Sequence, residues 1–297
     1  MSRFRSLLAA SASVLLVIPH ANVGAQRPFK VFVSADMEGV AGIVAMDQLG
    51  PPGIDYEWAR HLMTAEVNTA IAAAFDAGAT EVLVNDGHGS HTNLKADEMD
   101  QRASLVTGTP APLGMAEGMD STFGAVICVG FHARASTEGA VIDHTYTLGI
   151  TDMTLNGVPV GEYGMSAAVA GYYGVPVVFI SGDSAVAEQA RSYVPGIETV
   201  ITKEAITRFA ARTISPQASR AAIAAGVRKA LARRNEIRPV HVTTPITLGV
   251  ELTNTGFADN IAMIPGTRRT GARTLTYVAR DMLEAYRVSR LMMMLAH

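Results

Sequence analysis

The tightest constraint on this chain is a strand–helix–strand pattern near its start. Lys30–Ala35 (KVFVSA) and Thr80–Asn85 (TEVLVN) are short β-branched runs with the composition of buried strands. Between them, Tyr56–Ala77 carries Trp58, Leu62, Val67, Ile71, Ala74 and Phe75 at helical spacing, and Gly78 stands where a C-cap belongs. Two strands joined through a helix pair in parallel with a right-handed crossover, so the segment predicts a βαβ unit. Each run stops at polar residues, Asp36-Met37-Glu38-Gly39 after the first and Asp86-Gly87-His88 after the second.

The pattern continues along the chain. Gly124–Phe131 (GAVICVGF) reads as a fully apolar strand tipped by His132, and Val141–Thr147 alternates as a strand carrying His144. Asn156-Gly157, between short apolar runs in Met153–Val160, is a type I′ hairpin signal. Gly161-Glu162 opens a Gly/Ala-rich helix to Tyr173. Val175–Ile180, Ser184–Ser192 and Glu198–Lys203 follow as strand, helix and strand. After about Glu204 the character changes. Ser215 and Pro216 mark the start of a long Ala/Arg helix to Arg234, Pro239–Leu252 is extended, and Arg273–Arg280 alternates. Asp281 and Glu284 have capping-box spacing before a terminal helix to Ala296. The expected fold class is therefore α/β: a three-layer, Rossmann-like domain with a mostly parallel sheet over residues 27–204, plus a smaller α+β domain over 205–297.

The first 25 residues have another logic. Arg3 and Arg5 form a basic n-region, Leu7–Ile18 an apolar h-region, and Val23-Gly24-Ala25 a small-residue cleavage site, the anatomy of a signal peptide. The apolar stretch is short for a membrane span and no other run approaches one, so a periplasmic or secreted protein, free of the membrane after cleavage, is expected. Cys128 is the only cysteine, which excludes a disulfide scaffold and a thiolate zinc finger. A formal charge of −3 leaves no basic footprint for nucleic acid.

Chemistry concentrates by position. Asp36, Glu38, His88, His132 and Glu162 all fall at the ends of predicted strands or hairpins, and the carboxyl ends of an open α/β sheet form its ligand crevice. Taken singly each has an ordinary reading, as turn, cap or first-turn helix residue. Together, three carboxylates and two imidazoles suit two borderline divalent ions, zinc above all, bridged by one Asp. His144, inside an alternating strand, is the candidate general base or nucleophile. Arg134, next but one to His132, is a candidate for holding a substrate carboxylate or oxyanion. His91 reads as a solvated turn residue, His61 as lying off its helix's apolar stripe, and Cys128 as core. Met292-Met293-Met294 reads as helical core or interface rather than a copper site. P-loop, strand-linked G-x-G-x-x-G, G-x-S-x-G and H-E-x-x-H motifs are all missing from the sequence.

Several segments carry a resemblance. Ser34–Gly39 (SADMEG), Val84–His88 (VNDGH), Gly130–Ser136 (GFHARAS) and Pro159–Glu162 (PVGE) are similar to signature segments of the zinc-dependent D-aminopeptidases, as are Ile264–Thr267 (IPGT) and Ala279–Tyr286 (ARDMLEAY). The resemblance spans about Phe29 to Arg290. It implies two zinc ions per subunit, with Asp36 bridging, Glu38 and His88 on one ion and His132 and Glu162 on the other. It also implies a catalytic His144, removal of N-terminal D-alanine from short peptides, and a homodecamer of stacked five-fold rings around an inner chamber. The export signal and the divergent loop Met46–Asp55 depart from the family pattern. They keep open a metallohydrolase of L-aminoacyl peptides or other amides, and an exported metal- or solute-binding protein.

Overall fold

The computed structural model describes residues 28–296, so the expected signal peptide lies outside the described residues. In chain order the strands and helices are β1 (Lys30–Ala35), α1 (Tyr56–Asp76), β2 (Glu81–Asp86), β3 (Ser104–Val106), β4 (Phe123–Phe131), β5 (Ile150–Leu155), β6 (Val158–Pro159), α2 (Glu162–Tyr172), β7 (Val177–Asp183), α3 (Ser184–Tyr193), β8 (Glu198–Thr207), β9 (Ala210–Thr213), α4 (Pro216–Ala232), β10 (Ile246–Leu252), α5 (Thr255–Ile261), β11 (Arg268–Arg269), β12 (Thr274–Ala279) and α6 (Met282–Leu295). The larger sheet has the order β3-β2-β1-β4-β7-β8-β9, parallel except for β9, which turns back antiparallel on β8. Helices α1 and α4 pack together against β4 and its neighbours, while α2 and α3 pack together from the other half of the winding. This is the expected three-layer α/β arrangement. Its strand order reverses between β1 and β4, and ligands bind at such a switch point.

A smaller antiparallel sheet, β11-β12-β10-β5-β6, carries α5 and α6. It corrects the expected division at residue 204. β5 and β6 leave the first segment to pair with β10, and β8 runs through residue 204 before β9 continues the larger sheet. Pairing partners distant in sequence decide this, and no local pattern carries them.

Local signals hold where they are chemical. Gly78 sits at φ 93° after α1, where its N–H donates to Phe75 O and Ala79 N–H to Ala74 O, closing the helix as a Schellman motif does. Asn156 and Gly157 both have positive φ, as a type I′ turn requires, and Ser215 caps α4 through Ala218 N–H. Asp281 accepts from Glu284 N–H, but the reciprocal carboxylate bond goes to Arg280 N–H, one residue short of a full capping box. Two readings change. The buried stripe of α1 is Ala59, Met63, Val67, Ala70, Ile71 and Ala74, with Trp58 turned outward, because the small residues let the helix sit close on the sheet and α4. Val141–Thr147 is not a strand. Ile142 and Tyr146 have positive φ, and distant groups take up the backbone: Val141 N–H donates to Asp183 Oδ2 and Tyr146 N–H to Glu162 Oε1.

Candidate metal centre

Asp36 follows β1, His132 follows β4, and His88 lies two residues beyond β2, so three adjacent parallel strands deliver three polar tips to one edge. Loop and strand approach closely there. Asp36 N–H donates to Val129 O and Gly39 N–H to Gly130 O. A Cβ on Gly130, whose φ is 76°, would stand 2.2 Å from Asp36 O, so only glycine fits that approach. Glu38 is positioned from behind by buried Lys203, whose Nζ donates to the carbonyls of Glu38 and Ile43. Asp86 organises the following loop by accepting from Leu94 N–H (2.7 Å) and Asn93 Nδ2 (2.8 Å), which sets His88. Glu162 is the first residue of α2, where the helix dipole favours a carboxylate.

All five expected ligands converge. Asp36 Oδ1 is 3.2 Å from His88 Nδ1 and Oδ2 is 3.4 Å from His132 Nε2. Glu38 Oε2 is 3.0 Å from His88 Nδ1, and Glu162 Oε1 is 3.2 Å from His132 Nε2. Two donor groups result, Asp36/Glu38/His88 and Asp36/His132/Glu162, with Asp36 common to both. Glu38, His132 and His144 form a third overlapping group. His144 Nε2 lies 3.7 Å from Glu38 Oε1 and 3.5 Å from Glu162 Oε1.

Tethers on the outer ring nitrogens orient each imidazole. His88 Nε2 donates to Leu49 O (2.7 Å), His132 Nδ1 to Ala133 O (2.9 Å) and His144 Nδ1 to Ile142 O (2.8 Å). In these tautomers the opposite nitrogen of each ring presents a lone pair to the carboxylates. Acceptors then face acceptors in a buried space, and Asp36 Oδ2, Glu38 Oε2 and His132 Nε2 are buried without hydrogen-bond partners. A cation is what satisfies such a set, and imidazole and carboxylate donors at tetrahedral-site spacing suit zinc. The electrostatics favour positive charge at this point, supplied in the absence of a metal by protons on His88 and His132. Burial, then Glu38, raises the Asp36 carboxyl. Burial opposes charge on His88 and His132, yet the carboxylates around them, Glu38 and Asp36 for one and Glu162 and Asp36 for the other, raise both. Burial and then His132 push His144 down.

The centre opens into a cavity of about 670 Å³, within the range of small-molecule sites, walled by Met46, Leu49, Leu148, Phe257 and Met293 among others. Three readings change here. His91 is buried, with φ 59°, and lines the cavity instead of sitting in a solvated turn, because Gly108 N–H and Thr107 Oγ1 both fold onto its carbonyl. Arg134 pairs with Asp152 at 3.6 Å and faces a separate cavity beyond His132. Met292 is core, Met293 lines the site and Met294 is exposed, so the three do not share a face. His61 is half-exposed against Glu98, and Cys128 is fully buried in β4. Arg290, on the α6 side of the cavity, carries no signal in the sequence. Nothing in the spacing of a terminal helix tells which of its arginines turns inward.

The D-aminopeptidase family model matches residues 29–291. The chain belongs to the D-aminopeptidase family. It is 38% identical over 268 residues to the D-aminopeptidase of Bacillus subtilis (strain 168), a match covering 90% of this chain and 97% of that protein. The solved structure of a zinc-dependent D-aminopeptidase from Bacillus subtilis, described as a self-compartmentalizing protease, superposes with a TM-score of 0.89 at 37% identity, covering 90% of this chain and 98% of that one. The family is one of peptidases, so the convergent cluster lies in a peptide hydrolase and the alternative of a binding protein falls away.

Proposed function

We propose that this chain is a dinuclear zinc aminopeptidase that removes the N-terminal residue, preferentially D-alanine, from short peptides. The observation that carries the reading is Asp36 standing between two complete donor sets in one buried centre. Asp36, Glu38 and His88 would hold one ion, and Asp36, His132 and Glu162 the other. The zinc-dependent relative supports the choice of metal. When bound, such a pair polarises the scissile carbonyl and activates water at neutral pH.

The protein's own groups do the rest. Glu38 and Glu162 approach His144 from two sides and leave its Nε2 directed into the centre, where it takes the proton of the attacking water and delivers one to the departing amine. The Ile142 carbonyl on Nδ1 keeps that nitrogen protonated and the ring in one orientation. Met46, Leu49 and Leu148 line the cavity around a small side chain and limit access of water.

A homodecamer enclosing the active sites belongs to the same reading, supported by the self-compartmentalizing relative. Export is supported by the basic n-region and apolar h-region of the first 25 residues.

The test is hydrolysis of D-Ala-D-Ala and L-Ala-L-Ala side by side, with chelation and zinc restoration. Chelator-sensitive cleavage of the D-peptide is expected. Cleavage of the L-peptide alone would reassign the stereochemistry, and no turnover of either would overturn the reading. Light scattering of the purified protein tests the decamer, and N-terminal sequencing of protein from the periplasmic fraction tests cleavage after Ala25.

A further inference from the structure

We infer that Lys203 is a positioning residue for Glu38: by gathering two loop carbonyls behind the centre it aims the Glu38 carboxylate, and so sets how tightly one of the two ion positions binds. The inference rests on the dinuclear reading above and concerns the layer of side chains that supports it.

Lys203 lies in β8, opposite Asp183 of β7 in the sheet register, and is 1% exposed. Its Nζ donates to Glu38 O and Ile43 O, and among the described residues it makes no ion pair. A buried ammonium served by two carbonyls is costly, and an apolar side chain of similar length would pack there at less cost. What the ammonium supplies is closure of the loop after β1. That loop is wound tightly, Val40 N–H donating to Met37 O and Ile43 N–H to Val40 O, so the Glu38 and Ile43 carbonyls converge. A donor between them is what makes the convergence favourable. Side chains from α1, β8 and β9 hold the rest. Thr202 Oγ1 donates to Gly39 O (2.6 Å), Glu66 Oε1 accepts from Ala41 N–H (3.2 Å) and Thr213 Oγ1 accepts from Gly42 N–H (3.0 Å).

With its carbonyl turned back to Lys203, Glu38 sends its side chain forward. Oε2 stands 3.0 Å from His88 Nδ1 and Oε1 3.7 Å from His144 Nε2. No hydrogen bond holds Oε2 from the side, so the backbone sets its aim. Glu38 belongs to the donor group with Asp36 and His88 and not to the one with Asp36, His132 and Glu162. Asp36 itself is anchored separately, its N–H donating to Val129 O and its Oδ1 accepting from Met37 N–H (2.9 Å). Lys203 therefore acts on one ion position and spares the other. Its charge alone would work in the opposite direction, because a cation behind the centre repels a divalent ion and removing it tightens binding. A loss of affinity on removing Lys203 thus reports position.

The experiment strips the full protein with chelator and titrates zinc back by calorimetry, for wild type, Lys203→Met and Lys203→Gln. Wild type is expected to take up two ions. Lys203→Met is expected to keep one ion at wild-type affinity and to bind the other about 10–100-fold more weakly, as when a ligand loses its supporting hydrogen bonds. Lys203→Gln retains a donor and is expected to fall between. In a Glu38→Gln background, Lys203→Met is expected to change zinc affinity by less than about twofold, since the group it positions is already disabled. Thr213→Val, which frees Gly42 N–H of the same loop, is expected to leave both ions at wild-type affinity. Equal weakening of both ions, unchanged or tighter binding, an undiminished effect in the Glu38→Gln background, the same loss in Thr213→Val, or failure of both Lys203 variants to fold would each overturn the inference. Uptake of fewer than two ions by wild type would instead sink the dinuclear reading and this inference with it.

Discussion

The imidazoles of His132 and His144 lie face to face, with ring centroids 3.9 Å apart and planes 9° from parallel. Both rings are tethered through Nδ1, and both Nε2 atoms face Glu162 Oε1, yet only His132 also faces Asp36. Under the proposed function the stacked neighbours take different tasks, His132 as a ligand and His144 as the proton-transfer group. His132→Ala is expected to lower zinc content from two ions toward one and to abolish turnover. His144→Ala is expected to keep both ions and to lose about 10²–10⁴-fold in kcat. Metal analysis beside steady-state kinetics separates them, and loss of an ion in His144→Ala would move that residue into the ligand set.

Metal removal should also be visible in stability. Partnerless Asp36 Oδ2, Glu38 Oε2 and His132 Nε2 crowd one buried space, and a bound ion satisfies them only in the folded state. At a free zinc concentration one hundred times the Kd, binding adds about 3 kcal/mol per site. Thermal unfolding with and without chelator is expected to show a clear drop in Tm that zinc reverses. Equal melting in both states would speak against a metal at these residues.

Gly130→Ala is expected to destabilise the protein by roughly 2–4 kcal/mol, a steric conflict combined with unfavourable positive φ. The added Cβ would fall 2.2 Å from Asp36 O, and the strain would be relieved by displacing the loop that carries Asp36 and Glu38. Urea unfolding measures the first effect. A parallel fall in zinc affinity measures the second.

A pH effect away from the centre comes from Tyr193 at the end of α3, whose phenol burial pushes up to about 12. An unfolded tyrosine releases its proton near pH 10, so above that the unfolded state binds fewer protons than the folded one and stability falls as pH rises. The stabilisation is fully present below pH 10 and is lost through pH 12, roughly 2–3 kcal/mol over the interval. Tyr193→Phe removes this part of the alkaline slope. Denaturant titrations of both proteins between pH 9 and 11.5 are expected to show the wild type losing stability relative to Tyr193→Phe as pH rises, and parallel profiles would speak against a buried Tyr193 phenol.

Much of the architecture is legible along the chain because its causes are local. Strand composition, the Gly78 cap, the Asn156-Gly157 turn and the Ser215-Pro216 helix start are each set by a few neighbouring residues. Asp36, Glu38, His88 and His132 are also legible, as polar residues that follow apolar runs, since a parallel sheet gathers such tips at one edge, while Glu162 arrives there from the start of α2. The segment around His144 is not. Its alternation suits a strand, but bonds from Val141 to Asp183 and from Tyr146 to Glu162 hold it in a loop.

Local chemistry, then, sets the elements and the identity of the polar tips, because propensity, capping and strand polarity act over a few residues. Tertiary structure alone decided that β5 leaves its neighbours to pair with β10, that His91 is buried, that Arg134 turns away and that Arg290 turns in. Each of these depends on which distant backbone or side chain arrives beside it, and that is a property of the packed chain.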